Sequence, residues 1–241
     1  MQNINIIKCL DLEDAVAQAS DCLNSILKKI KDENVATLLL MSGGSALKIA
    51  LHVEKDFLPN NLTLTVLDDR YSIDPEINNF SILSRTKLYS DALVLGAAFI
   101  HTRIKDDETL EEVGAFFDQA LKNWCAENPN GKIIITQGVG PDGHTSGVMP
   151  FPEDKEKFNT LFLDTEKYAV GYDAVGKNQY PLRITATLHF LIDKVDESVL
   201  LMSGKDKTQA FQNLENASGT LADTPSLVIH KMKKVHLFTD L

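Results

Sequence analysis

The sequence predicts an α/β fold built on a mainly parallel sheet. Short apolar β-like runs alternate along the chain with stretches of helical period, the order expected when strands are joined by crossover helices. Residues 36–41 form an almost continuous apolar run, as expected for a strand covered on both faces. Polar residues gather where the predicted strands end, and open α/β sheets hold their ligands there.

The elements follow in order. Residues 4–8 read as a first strand, and Asp11 caps the helix after it. That helix carries Ala15, Val16, Ala19, Leu23, Ile26, Leu27 and Ile30 at helical spacing. The strand 36–41 ends in Ser42-Gly43-Gly44-Ser45, which turns into a helix bearing Leu47, Ala50 and Leu51. Residues 62–67 form the next strand and end in Asp68-Asp69-Arg70. A Pro/Asn-rich loop leads to a helix near 79–89. Leu110, Val113, Phe117, Ala120, Leu121 and Trp124 mark another amphipathic helix. The strand 132–137 runs into Gly140-Pro141-Asp142-Gly143-His144-Thr145. Strands at 183–187 and 198–202, a helix opened by Gly204-Lys205-Asp206-Lys207, and a strand at 234–239 complete the chain. No repeat, low-complexity stretch or Pro/Gly/Ser-rich linker divides it, so one domain over residues 1–241 is expected.

Charge and cysteine content narrow the function classes. The chain has 241 residues, with 24 Lys+Arg against 34 Asp+Glu and a net charge of -10. That field opposes non-specific nucleic-acid binding, but a few converging cations still make a local seat for a small anion. Cys9, Cys22 and Cys125 are scattered and form no CxxC pair, which predicts buried thiols in a reducing compartment and no zinc site. The start of the chain lacks a basic region followed by an apolar one, and no apolar run reaches the ~18 residues of a membrane helix. A cytoplasmic protein with no membrane partner is expected.

Three segments carry candidate chemistry. Ser42-Gly43-Gly44-Ser45 allows close backbone approach and φ > 0 ahead of a helix N-terminus, so it is either an anion seat or an ordinary strand-to-helix turn. It is neither GxGxxG nor a P-loop, and implies no nucleotide. Asp68-Asp69-Arg70 combines an arginine able to grip phosphate bidentately with an Asp able to orient a hydroxyl or move a proton; alone, it reads as a charged turn. Gly138 to Thr145 is the sharpest segment. Histidine is the side chain suited to proton exchange near neutrality, and Asp142 can fix the tautomer of His144 or orient a reacting group, a stronger reading than a turn with a surface His. His189 lies in an apolar run and reads as structural. His52, His101, His230 and His236 show no partner in sequence, and no histidine spacing suits a metal. Asp14, Glu33 and the acidic run at 106–112 read as solvated faces.

Taken together, these segments resemble the 6-phosphogluconolactonase family, in the superfamily that also holds glucosamine-6-phosphate deaminases. The family's SGGST(P) loop is matched by Ser42-Gly43-Gly44-Ser45-Ala46-Leu47. Its W/D-DER segment and later S-N are matched by Asp68-Asp69-Arg70 and Asn78-Asn79. Its GxGxDGHTASLFP loop is matched by Gly138 through Pro150. Pro181-Leu182-Arg183-Ile184-Thr185-Ala186-Thr187 matches P-x-x-R-I-T-x-T, Gly204-Lys205-Asp206-Lys207 matches G-x-x-K, and Thr224-Pro225-Ser226-Leu227-Val228 echoes a late P-(S/A)-S-x-(V/L). The matches run in family order over nearly the whole chain. Ala46, Leu47, Asp69, Asn78 and Gly147 depart from the pattern.

The resemblance implies a three-layer α/β/α, modified Rossmann-like fold of the NagB/RpiA/CoA-transferase-like kind. It implies hydrolysis of 6-phospho-D-glucono-1,5-lactone to 6-phospho-D-gluconate in the oxidative pentose phosphate pathway, with no metal and no cofactor. Phosphate is expected on Ser42, Gly43, Gly44 and Ser45 with Arg70, Arg183 and Lys207. His144 is expected to act as general base on water, with Asp142 and Asp68 orienting His144 or sugar hydroxyls. The expected partner is a small phosphorylated sugar lactone, and the expected state a monomer or weak homo-oligomer. Two rivals differ in testable ways. The deaminases carry DGHIAFNEP, with a catalytic Glu where this chain has Met149, and tend to have Tyr where it has Arg70. A non-catalytic sugar-phosphate sensor would be expected to carry an added DNA-binding segment.

Overall fold

A computed structural model describes residues 3–105 and 107–241. The strands described are, in chain order, β1 (Ile4–Lys8), β2 (Thr37–Met41), β3 (Leu62–Val66), β4 (Asp68–Arg70), β5 (Ala98–Phe99), β6 (Lys132–Gly138), β7 (Ala169–Asp173), β8 (Leu182–Ala186), β9 (Glu197–Leu201) and β10 (Val235–Thr239). The helices are α1 (Leu12–Glu33), α2 (Asn79–Leu83), α3 (Lys87–Val94), α4 (Leu110–Glu127), α5 (Lys155–Phe162), α6 (Leu188–Asp193) and α7 (Thr208–Glu215).

Seven strands form a parallel sheet in the order β1-β10-β9-β6-β2-β3-β5. The expected parallel α/β architecture is therefore present, and the apolar run of β2 shows why. Leu39 and Met41 pack with Leu23 and Leu27 of α1, while Leu38 and Leu40 face Phe117 and Leu121 of α4. Both faces are covered, so neither needs polar residues. Asp11 accepts the Asp14 N–H at 2.9 Å and caps α1 as the sequence predicts.

A second, antiparallel sheet of β4, β8 and β7 was not anticipated. Asp68-Asp69-Arg70, expected as a strand end, is itself strand β4. Leu67 joins the two sheets: its N–H donates to the Met41 carbonyl at 2.9 Å and its carbonyl accepts from Ala186 at 3.1 Å. The chain thus crosses from β3 to β4 over one residue and leaves Asp68 beside the end of β2. On the other side α4 lies against β7 at a glycine pair. A Cβ at Gly114 would fall 2.2 Å from the Gly171 nitrogen.

Several local expectations are corrected. The stretch 79–89 holds two helices, because Thr86 accepts the Tyr89 N–H at 3.2 Å and caps a new start. The helix after Ser42-Gly43-Gly44-Ser45 is of the 3-10 type, Gly44–His52, and Lys205–Lys207 is likewise a 3-10 turn before α7. The three cysteines are free and only partly buried. Among the described residues no helix is long and apolar enough to cross a membrane.

Candidate active site

Strands β2, β3 and β6 run parallel, so their carboxyl ends deliver Ser42-Gly43-Gly44-Ser45, Asp68 to Arg70 and the loop after Gly138 to one side of the sheet. There they line a cleft of about 370 Å³, together with Arg183 and Lys207. That volume suits a small polar ligand. Every site residue expected from sequence lines it except Asp142, which reaches it through His144. Three cationic side chains (Arg70, Arg183, Lys207) and one carboxylate (Asp68) face the cleft, which gives a locally positive site on an acidic chain.

At the turn of residues 42–45, Gly44 has φ 61°, the left-handed conformation anticipated there. The Ser42 N–H is anchored to Thr136 Oγ1 at 2.8 Å, which ties the turn to β6.

The His144 loop is braced from three directions. The Gly140 N–H donates to the His144 carbonyl at 2.9 Å, the Gly143 N–H to Gly140 at 3.0 Å, and the Ser226 N–H to Gly143 at 3.0 Å. His144 Nδ1 lies 2.5 Å from Asp142 Oδ1, and Asp142 also accepts the His144 backbone N–H at 3.1 Å. Burial raises the Asp142 carboxyl, but the hydrogen bond and charge of His144 outweigh it and hold the group below its ordinary range. With Nδ1 engaged by a carboxylate, Nε2 is the nitrogen left to accept a proton.

The two aspartates of β4 do different things. Asp68 is buried and sits 3.4 Å from Arg183 Nη1. Arg183 is fixed further by Nε to the Tyr180 carbonyl at 2.9 Å and Nη2 to Asn178 Oδ1 at 3.0 Å. His144 Nδ1 is engaged by Asp142, whereas Asp68 is paired with Arg183. Asp69 faces inward and accepts from Arg70 N (2.8 Å), Asn79 N (2.5 Å), Phe80 N (3.2 Å), Asn78 Nδ2 (2.8 Å) and Thr102 Oγ1 (2.5 Å). Burial pushes its carboxyl up to about 7 against these hydrogen bonds. Arg70 leaves this knot with Nη1 on the Ile77 carbonyl at 3.1 Å and its guanidinium 5.7 Å from the Tyr180 ring centroid. Its buried Nε has no partner among the described residues. Lys207 is held at the cleft by its 3-10 turn, whose Gly204 N–H donates to Asp240 at 3.0 Å; burial lowers its ammonium from the ordinary lysine range.

Sequence reasoning missed Asn79, Ser146, Gly147, Asn178, Gln179 and Tyr180, which also line the cleft. Asn79 was visible as part of the S-N pair, and Ser146 and Gly147 as part of the His144 loop. Asn178 to Tyr180 gave no signal, because their loop joins strands of the unanticipated sheet. Met149 is fully buried and does not line the cleft. Three of the other histidines, His189, His230 and His236, have polar partners that sequence did not show. His236 Nε2 lies 3.1 Å from Glu197, and His230 Nε2 lies 2.8 Å from the Leu214 carbonyl. His189, expected to be structural, is partly exposed and 3.6 Å from Asp193.

Known proteins resemble this chain along nearly its whole length. A Dictyostelium discoideum protein named "Probable 6-phosphogluconolactonase" is 24% identical over 230 residues, covering 89% of this chain and 88% of that protein. The solved 6-phosphogluconolactonase from Plasmodium vivax superposes with a TM-score of 0.78 at 14% identity, over 99% of this chain and 91% of that one. The Thermotoga maritima 6-phosphogluconolactonase gives 0.74 at 16% identity, over 98% of each chain. At such identities the superpositions speak for the fold. The family model described as glucosamine-6-phosphate isomerases/6-phosphogluconolactonase matches residues 11–237. The chain belongs to the glucosamine-6-phosphate isomerase/6-phosphogluconolactonase family.

Proposed function

We propose that this chain hydrolyses 6-phospho-D-glucono-1,5-lactone to 6-phospho-D-gluconate. The carrying observation is the convergence on one cleft of a glycine-rich turn, three cations and an Asp142–His144 pair. The phosphate sits on the backbone of residues 43–45 with Arg70, Arg183 and Lys207 as counter-charges. His144, neutral and held by Asp142, takes a proton from water through Nε2 as that water attacks the lactone carbonyl. Asp68, braced by Arg183, orients sugar hydroxyls. The ring C–O bond then breaks, and the released alkoxide takes up a proton to give the open acid. The scheme calls for no metal and no cofactor. A reducing compartment accords with the three free cysteines.

Buried Met149 favours the lactonase over the deaminase within the family. The deaminases place a carboxylate at that position, and a thioether moves no proton.

The test is hydrolysis of freshly generated 6-phosphogluconolactone, corrected for the spontaneous rate. His144→Ala is expected to lower kcat by about 10²–10⁴-fold, the usual contribution of a general base. An unchanged enzymatic rate would remove His144 from the scheme. Arg70→Ala is expected mainly to raise KM, since gripping phosphate is binding shared by ground and transition states. Ammonia release from glucosamine 6-phosphate would reverse the choice of substrate.

A further inference from the structure

Strand pairing sets two like charges against each other in the cleft. Arg70 of β4 and Arg183 of β8 are direct partners across the antiparallel pair, and both side chains line the cleft. Like charges directly opposite one another repel, and the two arginines are accommodated differently. Arg183 is charge-paired, with Asp68 Oδ2 3.4 Å from its Nη1. The Arg70 guanidinium has no carboxylate partner among the described residues. It meets the Ile77 carbonyl at 3.1 Å and the ring of Tyr180, whose centroid lies 5.7 Å away. Both arginines thus touch the same short stretch of the loop between β7 and β8. The Tyr180 carbonyl accepts from Arg183 Nε at 2.9 Å. Asn178 Oδ1 accepts from Arg183 Nη2 at 3.0 Å and from the Tyr180 backbone N–H at 3.1 Å. Lys177, tied to Glu153, fastens the same loop from outside the cleft.

We propose that Tyr180 is a positioning residue whose ring holds the Arg70 guanidinium at the cleft without neutralising it, keeping that charge for the phosphate of the ligand. The inference rests on the phosphorylated ligand proposed above. A carboxylate in place of the ring would also fix the guanidinium, but it would cancel the charge and compete with phosphate for the same donors. An aromatic face attracts a cation through its quadrupole and carries no net charge. Arg70 therefore keeps its charge, while Asp68 offsets that of Arg183. The backbone of the same residue steadies Arg183, so one loop residue sets the spacing of the pair. Pro181 follows Tyr180 and restricts its backbone to extended conformations, which limits how the ring can be presented. The Tyr180 hydroxyl is engaged elsewhere, accepting from Gln179 Nε2 at 3.3 Å, so the ring and not the hydroxyl serves Arg70.

Two substitutions separate the ring from the rest of the residue. Tyr180→Phe keeps the ring and loses only the hydroxyl. Tyr180→Leu keeps bulk and the backbone carbonyl that holds Arg183, but has no aromatic face. Affinity of the full-length chain for 6-phosphogluconate and for inorganic phosphate is measured by titration calorimetry. Tyr180→Phe is expected to bind both as wild type does, and Tyr180→Leu to bind both about three- to thirtyfold more weakly, the span of a cation–π contact. Tyr180→Gln, polar and equally without a ring, is carried alongside and is expected to show the same loss. In the lactone assay Tyr180→Leu is expected to raise KM and leave kcat unchanged, a split that general damage to the fold would not produce. In an Arg70→Ala background it is expected to cause no further loss of affinity, because it acts through Arg70. The proposal is overturned if Tyr180→Leu and Tyr180→Gln bind phosphate as tightly as wild type, if Tyr180→Phe is as weak as they are, or if the loss is equal with and without Arg70. A wild type that turns over no lactone, but whose affinity for phosphate still depends on the Tyr180 ring through Arg70, supports the positioning role and removes only the substrate assignment.

Discussion

Gly147 departs from the family pattern, where serine is usual, and its surroundings explain the change in this chain. Its φ is +72°, and a Cβ there would fall 2.6 Å from the Cβ of Asp68 and 2.9 Å from its Oδ2. Restoring serine would therefore press on the carboxylate that braces Arg183. Gly147→Ser is expected to destabilise the fold by about 1–3 kcal/mol and to lower kcat/KM for the lactone. Urea titration and steady-state kinetics check this, and a variant as stable and as active as wild type would show that the loop adapts freely. Two other departures meet in one contact. Asp69 is one methylene shorter than the family's Glu, and Asn78 is longer than its Ser; the Asn78 amide reaches the Asp69 carboxylate at 2.8 Å. In the sequence each stands only as a departure from the pattern. Read as a contact, the pair keeps the Arg70 segment tied to the start of α2.

Strand β4 and helix α2 are joined at that contact, while Phe80 and Leu83 of α2 are fully buried in the core. β4 is three residues long, and Asp69 at its centre collects three backbone N–H groups and two side-chain donors. Asp69→Ala leaves those buried donors without an acceptor, at an expected cost above about 3 kcal/mol. It should also raise KM, because Arg70 follows Asp69 directly. A folded Asp69→Ala chain with wild-type KM would show that Arg70 is positioned independently. The legibility of the elements follows the same physics. β2, β6 and α1 were plain in the sequence, because burial on two faces or on one stripe writes an apolar period. The turn at 42–45 and the His144 loop were plain because glycine and polar residues interrupt that period at strand ends. The small sheet was not. β7 reads Ala-Val-Gly-Tyr-Asp and β4 Asp-Asp-Arg, neither an alternating nor a continuous apolar run, and their pairing through β8 spans more than a hundred residues. Asn178, Gln179 and Tyr180 remained hidden with it, since a loop is recognised as part of a site only when the strands that aim it are known.

The molecule as a whole has two charged ends joined by the parallel strands, and they respond differently to pH. The carboxyl end of the strands gathers the cations of the lactone cleft. The amino end gathers Glu197, His236 and Lys234 around α1, with Lys29, Glu33, Lys132 and Asp196 facing one cavity there. Glu197 is held down at about 2 by its hydrogen bond to His236, which outweighs burial, with Lys234 adding to it. His236 is held up at about 9 by Cys22 and then Glu197. A depressed carboxyl contributes stability above its unfolded value of roughly 4.3, lost as pH falls toward the folded one. A raised imidazole contributes fully below its unfolded value of roughly 6.5, and the contribution disappears as pH rises through the folded one. The pair therefore stabilises the fold most between about pH 4.5 and 6.5, with an acid limb down to about 2 and an alkaline limb up to about 9. His236→Gln is expected to cost on the order of 1–2 kcal/mol at pH 6, after allowance for solvent screening, and almost nothing at pH 9.5. Urea unfolding of both chains at those two pH values measures the difference directly. A cost that is the same at pH 6 and pH 9.5 would mean that His236 contributes packing and not charge to the amino end of the sheet.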